Sequence, residues 1–180
     1  MPLLTVGHGT LTASRLVALL RDAGVTLLVD IRAYPASRRN PQFNRDALLT
    51  TLGAAGVAYR HEPRLGGRRR GHEASPHVAI RNTSFRAYAD HMQSQEFQEA
   101  LSDLLSEAAG RTTAIMCAER GWWRCHRRLV ADGAVLLHGT DVHHLDHDGR
   151  LAPHHPIEVA RVHGSELIYD VGSQLAQPPA

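Results

Sequence analysis

Gly24-Val25-Thr26-Leu27-Leu28-Val29-Asp30-Ile31-Arg32 is the stretch that decides the fold. Its centre, Val25 to Val29, is a continuous apolar and β-branched run without the alternation of a strand that has one wet face. Such a run suits burial on both faces, as in a parallel sheet. On its N-terminal side Leu16, Val17, Leu19 and Leu20 share one helical face, Thr12 or Ser14 supplies the cap, and Gly24 ends the helix. Before that helix, Leu3-Leu4-Thr5-Val6 reads as a short strand. On the other side Asn44 caps a helix through Leu48, Leu49 and Leu52, stopped by Gly53 or Gly56, and Val57-Ala58-Tyr59 reads as a third strand.

This rhythm of strand, helix, strand, helix, strand predicts a parallel sheet with helices on both faces. Residues 62 to 80 interrupt it. They are rich in glycine, arginine and histidine, have no apolar period and read as a mobile loop. Helices are expected around Arg81 to Met92 and Glu96 to Ala108, then a strand at Ala114-Ile115-Met116 and a helix starting near Cys125. Ala134 to His138 reads as a further strand, and Asp141 to Leu145 with Arg150-Leu151 as a hairpin about Asp148-Gly149. A helical or extended piece near Ile157 to Tyr169 precedes a frayed end, QPPA. The fold expected is α/β, a single-domain three-layer fold with a mostly parallel sheet of about five strands, plus a C-terminal hairpin extension. The α/β domain should span residues 1–155 and the extension 156–180.

At 180 residues the chain suits one domain with a full core. Its 43% hydrophobic and 21% charged residues are those of an ordinary globular protein. It has no apolar run of about 18 residues, so no membrane partner is expected. The first ten residues do not resemble a signal peptide, and two cysteines without one favour reduced thiols in a cytoplasm. All 20 basic residues are arginine. That excludes lysine Schiff-base chemistry and a Walker-type phosphate lysine. Any phosphate must be held by arginine forks, helix N-termini or backbone amides.

The chemistry concentrates in Thr113 to Val130, TAIMCAERGWWRCHRRLV, which holds both cysteines, Glu119, His126 and four arginines at the end of one strand and the start of one helix. A Cys-x5-Arg phosphatase loop is excluded, because Trp123 lies six residues after Cys117 and Ala131 six after Cys125. Cys117, Cys125 and His126 are suitable metal ligands, but Cys-x7-Cys-His lacks the short knuckle of structural zinc. The favoured reading makes Glu119 or His126 an acid or base, with Arg127 and its neighbours holding an anion and the cysteines as packing residues. Trp123 beside arginines suits stacking on a base. Gly7, Gly9 and Thr10 can turn backbone amides toward an anion, with His8 in the same crevice, although the third glycine of a dinucleotide fingerprint is missing. Asp30 ends the central strand, where a general base is at home, and Arg32, Arg38 and Arg39 offer bidentate phosphate contacts. His143, His144, His147, His154 and His155 read mostly as surface or hairpin residues.

Several of these motifs, in order, resemble one bacterial and archaeal family. They are T-V-G-H-G-T at Thr5 to Thr10, D-I-R at Asp30 to Arg32, P-x-S-R-R-N-P-Q-F-N at Pro35 to Asn44, L-G-G at Leu65 to Gly67, C-A-E at Cys117 to Glu119 and C-H-R at Cys125 to Arg127. The family is domain of unknown function 488, and the resemblance covers roughly residues 3 to 155. It implies a compact α/β domain and transfers no mechanism.

The residues themselves point to an enzyme acting on a phosphate-bearing substrate, a nucleotide or nucleic acid, by hydrolysis that could extend to an N-glycosidic bond. Asp30, Glu119, His8 and His126 are the candidate catalysts. Gly7, Gly9, Thr10, Arg32, Arg38, Arg39, Asn44, Arg127 and Trp123 are the candidate substrate contacts. No cofactor is expected in this reading. The alternatives are a nucleic-acid-binding module without catalysis and a thiol- or metal-dependent enzyme centred on Cys117 and Cys125, with His126 as a third ligand.

Overall fold

The structure, a computed structural model, describes residues 1–170. Five parallel strands form the body of the sheet: β1 (Leu3–Gly7), β2 (Leu27–Asp30), β3 (Ala58–His61), β4 (Thr113–Cys117) and β5 (Val142–Leu145). A sixth, β6 (Leu151–Pro153), runs antiparallel to β5 at one edge, and the order is β3-β2-β4-β1-β5-β6. The central run is buried as its sequence requires. Leu28 joins Leu4, Val6, Ala114 and Met116 on one face, against α1 (Ala13–Asp22) and α2 (Arg45–Ala54). Leu27 and Val29 join Leu3 and Ile115 on the other, against α3 (Thr83–Met92), α4 (Gln95–Gly110) and α5 (Arg127–His138). Three layers result from one strand period carried through four neighbouring strands.

Most helix boundaries follow the capping chemistry. Thr12 accepts from the Arg15 amide at 3.2 Å, and Gly24 closes α1 at φ 68°. Asn44 does stand at the N-cap of α2, yet its side chain accepts from the Ser37 amide at 2.6 Å and ties down the preceding loop instead.

One expected element needs correction. Ala134 to His138 is no strand but the last turns of α5, which ends at Gly139 with φ 63° and the Gly139 amide returned to Val135. A glycine after a short apolar run stops either element, so the local pattern is ambiguous there. The strand expected from that run is supplied by Val142–Leu145, which pairs in parallel with β1 and also forms the expected hairpin with β6. The Ile157 to Tyr169 piece is a second hairpin, β7 (Ala160–His163) and β8 (Glu166–Tyr169), whose Leu167 and Tyr169 are buried in the core. The end of the chain, QPPA, lies outside the described residues.

The arginine-rich segment after β3 carries no helix or strand beyond the turn Pro63–Leu65, but it is fastened down rather than loose. Asp90 of α3 accepts from the His72 amide and the Ser75 hydroxyl, and Arg64 is spent on Glu62 and Asp103.

This topology places one crevice. The chain leaves β1 and β2 for helices on one face of the sheet and leaves β4, which lies between them, for α5 on the other. Beyond the C-terminal end of β4 the connections therefore diverge, and such a switch point opens a ligand crevice.

Candidate functional site

A cavity of about 760 Å³ occupies that crevice. Its walls are the turns after β1 (His8, Gly9, Thr10), β2 (Arg32 to Tyr34, Ala36, Ser37 and Asn40) and β4 (Cys117 to Arg120), closed by Gly67, Arg68 and His126. A neighbouring cavity of about 830 Å³ shares Glu119 and Arg120 with it and extends to Trp123, Arg124 and Arg150. Three chain-distant turns and the start of α5 thus meet at one place, yet the candidate residues play unequal parts.

Asp30 is fully buried and saturated. Its carboxylate accepts from Arg32 Nε at 2.8 Å, Arg32 Nη2 at 2.6 Å, the Arg32 amide at 3.1 Å and the Tyr59 hydroxyl at 2.8 Å. A carboxylate with every lone pair engaged and no exposure does not shuttle protons to a ligand, so Asp30 is a positioning residue and not a catalyst. Arg32 also donates to the Phe43 carbonyl, and its Nη1 donates to His8 Nε2 at 3.3 Å. His8 in turn gives its Nδ1–H to the Gly9 carbonyl and stacks on Phe43 with ring centres 4.2 Å apart. Burial pulls the imidazole pKa down to about 4, so His8 is a neutral ring with both nitrogens occupied. The expected proton donor is instead part of the wall.

The Gly7-His8-Gly9 turn is no anion nest either. The His8 and Gly9 amides donate to the Cys117 and Ala118 carbonyls at 3.0 and 2.9 Å. Gly7 is needed for a different reason: a Cβ there would stand 1.8 Å from the Glu119 carbonyl oxygen. The same close approach explains Arg127. This guanidinium is 1% exposed and donates to the Glu119 carbonyl at 2.6 Å, the Arg120 carbonyl at 3.1 Å and the Thr5 hydroxyl at 3.1 Å. It braces the turn after β4 from beneath and is not an anion clamp. Arg38, Arg39 and Asn44 do not line the cavity. The arginines that do are Arg32, Arg120 and Arg68, the last from the arginine-rich segment read as a mobile loop. Arg68 takes φ 64° and lies over the exposed Tyr34 ring at 5.8 Å.

Glu119 is the carboxylate at the cavity wall. It is exposed and its side chain has no hydrogen bond or ion pair among the described residues. Of the tryptophans, Trp123 is 57% exposed, while Trp122 stacks on His144 at 4.1 Å and 6°.

At the floor lie Cys117, Cys125 and His126, whose sulfurs and one ring nitrogen are all within 4.8 Å of one another. Although they are adjacent in sequence, Cys125 and His126 converge. Cys125 precedes α5 with extended backbone and His126 is helical, so the two side chains leave in different directions and meet over β4. Cys117 Sγ is 3.9 Å and Cys125 Sγ 3.7 Å from His126 Nδ1. Burial alone would raise both thiols. For Cys125 this is outweighed by the hydrogen bond from Cys117 and the charge of Arg127, which hold its pKa below the ordinary thiol value, while the Cys117 thiol, sharing a proton with Cys125, is pushed up.

One feature escaped the sequence altogether. Two of the histidines read as surface residues belong to a buried chain: Thr5 Oγ1 to His144 Nδ1 at 2.7 Å, His144 Nε2 to His154 Nδ1 at 3.0 Å, and His154 Nε2 to Asp132 at 2.8 Å. Asp132 also accepts from Tyr169 at 3.0 Å. Burial lowers the His144 pKa to about 3. The chain fastens β1, β5, α5 and β8 together.

Comparison with protein families gives a match to a domain of unknown function, DUF488, over residues 12–134, well over half the chain. The chain belongs to the DUF488 family. Comparisons with curated proteins and with solved structures found no match. The DUF488 match covers β2, the loop from Ala33 to Phe43, the Cys117-Ala118-Glu119 turn and the start of α5, which are the principal walls of the cavity. Among the described residues no helix is long and apolar enough to cross a membrane.

Proposed function

We propose that the cavity is an active site for a small phosphate-bearing substrate of nucleotide size, and that Glu119 is its acid–base group. The observation that carries this reading is the position of Glu119. It is an exposed, unbonded carboxylate at the crest between two cavities, with Arg32, Arg68 and Arg120 on the surrounding walls. A volume of about 760 Å³ lies within the ordinary range for small-molecule sites. Thr10, Ser37 and Asn40 add neutral hydrogen-bonding side chains to the arginines, which suits an anion with a polar body. Hydrolysis is the reaction class we favour, with Glu119 taking a proton from the attacking water. The arrangement of two carboxylates needed to divide acid and base roles at a glycosidic bond is not available, because Asp30 is spent on Arg32 and Tyr59.

A second reading extends the first. The neighbouring cavity leads from Glu119 and Arg120 to the exposed Trp123, with Arg124 and Arg150 beside it. A single strand could thus leave one nucleotide in the first cavity and stack the next base on Trp123. Titration calorimetry with inorganic phosphate, mononucleotides and short single-stranded oligonucleotides at two salt concentrations tests both. Binding of mononucleotides that weakens in an Arg68→Gln/Arg120→Gln variant is expected. If neither nucleotides nor oligonucleotides bind at low salt, the proposal is wrong.

A further inference from the structure

We infer that Cys117, Cys125 and His126 form a metal site of the Cys2His type, best matched to Zn2+, with its remaining coordination position open to the cavity. The inference concerns the floor of the cavity proposed above and rests on that reading only for what would meet the open position.

The first argument is distance. A tetrahedral Zn2+ with Zn–S of about 2.3 Å and Zn–N of about 2.0–2.1 Å places sulfur and nitrogen ligands about 3.6 Å apart. The two Sγ to Nδ1 separations are 3.7 and 3.9 Å, and all three atoms lie within 4.8 Å. Both sulfur–nitrogen separations are within a few tenths of an ångström of that spacing.

The second argument is tautomer, and it is independent of the first. His126 Nε2 lies 3.1 Å from the Ile31 carbonyl oxygen, a partner that only accepts. The proton is therefore on Nε2, and the Nδ1 lone pair is directed at the two sulfurs. A ligating histidine is held in this way, by donating its other ring N–H to a carbonyl or carboxylate.

The packing reading of the cysteines accounts for neither feature.

Access favours the open position. Cys117 and His126 line the cavity, whereas Cys125 lies behind them. Gly67 covers the imidazole so closely that a Cβ would stand 3.1 Å from Nδ1. Three protein ligands with the fourth place left to water or substrate is the arrangement of catalytic rather than structural zinc. An ion there would polarise a ligand oxygen or lower the pKa of a bound water, the chemistry a hydrolase needs.

The test uses the untagged full chain, purified under a thiol-free reductant. Elemental analysis after equilibration with Zn2+ and gel filtration should give one metal per chain. Co2+ should produce the intense visible bands of a tetrahedral thiolate site, and both should be lost in Cys117→Ser and in His126→Gln. Circular dichroism identifies any variant that has failed to fold. For such a variant the thiol reactivity of the folded wild type replaces it: modification of the cavity-lining Cys117 without Zn2+ and none with it are expected. Less than one tenth of an equivalent of Zn2+ on folded, reduced wild type, with no Co2+ bands, would overturn the inference. Nucleotide titrations of chelator-treated protein separate the two proposals. Nucleotide binding without metal uptake removes the metal site alone, and metal uptake without nucleotide binding removes the substrate class alone.

Discussion

Replacing Arg127 with methionine distinguishes a brace from an anion clamp. The substitution keeps most of the volume and removes three donated hydrogen bonds, to the Glu119 carbonyl at 2.6 Å, the Arg120 carbonyl at 3.1 Å and the Thr5 hydroxyl at 3.1 Å. Bonds from a charged donor contribute roughly 1.5–3 kcal/mol each. The sum overstates the loss for two reasons. Glu119 and Arg120 lie on an exposed turn, so water can reach their carbonyls once the turn shifts, and Thr5 keeps His144 as a partner. The guanidinium also no longer has to be desolvated, and the methionine gains apolar burial. A net destabilisation of roughly 2–4 kcal/mol is expected, read as a lower urea midpoint with an unchanged slope. Ligand affinity should fall as well, because the turn that carries Glu119 loses its support. Stability within about 0.5 kcal/mol of wild type together with abolished anion binding would refute the reasoning and restore Arg127 as a clamp.

Four other outcomes follow from the same geometry. Gly7→Ala forces a Cβ to within 1.8 Å of the Glu119 oxygen, so the turn must move; a loss of more than about 2 kcal/mol in urea titration is expected, and wild-type stability would show the approach is not needed. Glu119→Gln should leave stability within about 0.5 kcal/mol while abolishing turnover, since the side chain is exposed and unbonded; a large fall in thermal midpoint would contradict this. Asp30→Asn should instead unfold the protein more easily, by roughly 3 kcal/mol, because it leaves the buried Arg32 charge unpaired; a fully stable but inactive variant would return Asp30 to catalysis. His8 and His144 are held neutral with pKa values near about 4 and about 3, against 6.5 when unfolded. Their contribution is complete above pH 6.5 and is lost as pH falls and the unfolded chain takes up protons that the folded one refuses, at most about 1.4 kcal/mol per pH unit for each. Urea midpoints measured from pH 7 to pH 4.5 should fall steadily, and His144→Asn should flatten the slope if it folds; a midpoint independent of pH would count against buried neutral histidines.

How much of this was legible in the residues depended on whether a signal was local. The parallel sheet followed from Val25 to Val29, because a run with no wet face has few homes, and Gly24 and Thr12 marked their helix ends by conformational chemistry that acts within four residues. Ala134 to His138 failed because four apolar residues and a histidine before a glycine have the same appearance in a strand and in a last helical turn. Only the length of α5 and the pairing of Val142–Leu145 with β1 decide it, and both depend on distant chain. The turns that would meet at the sheet edge were also foreseeable, since a parallel strand can present only its C-terminal turn there.

The side chains within those turns were not legible, and the reason is direction. Arg127, Arg38 and Arg68 are the same residue type in similar company, yet the first is turned inward beneath the Glu119 turn, the second lies away from the cavity and the third lines it. Asp30 and Glu119 both end strands of one sheet. What separates them is that Arg32 and Tyr59 point at Asp30 from its own strand end and from the neighbouring strand, while no side chain among the described residues bonds to the Glu119 carboxylate. The cysteines invert the case. Spacing argued against their use, because Cys-x7-Cys-His is not a knuckle, but spacing constrains ligands only when one short loop must supply them all. Here β4 supplies Cys117 and the start of α5 supplies Cys125 and His126, and the Ile31 carbonyl beyond β2 orients the imidazole. A site assembled from three separate elements leaves no fixed interval in the chain, so the sulfurs that looked like packing residues are the part of the cavity whose geometry is already set.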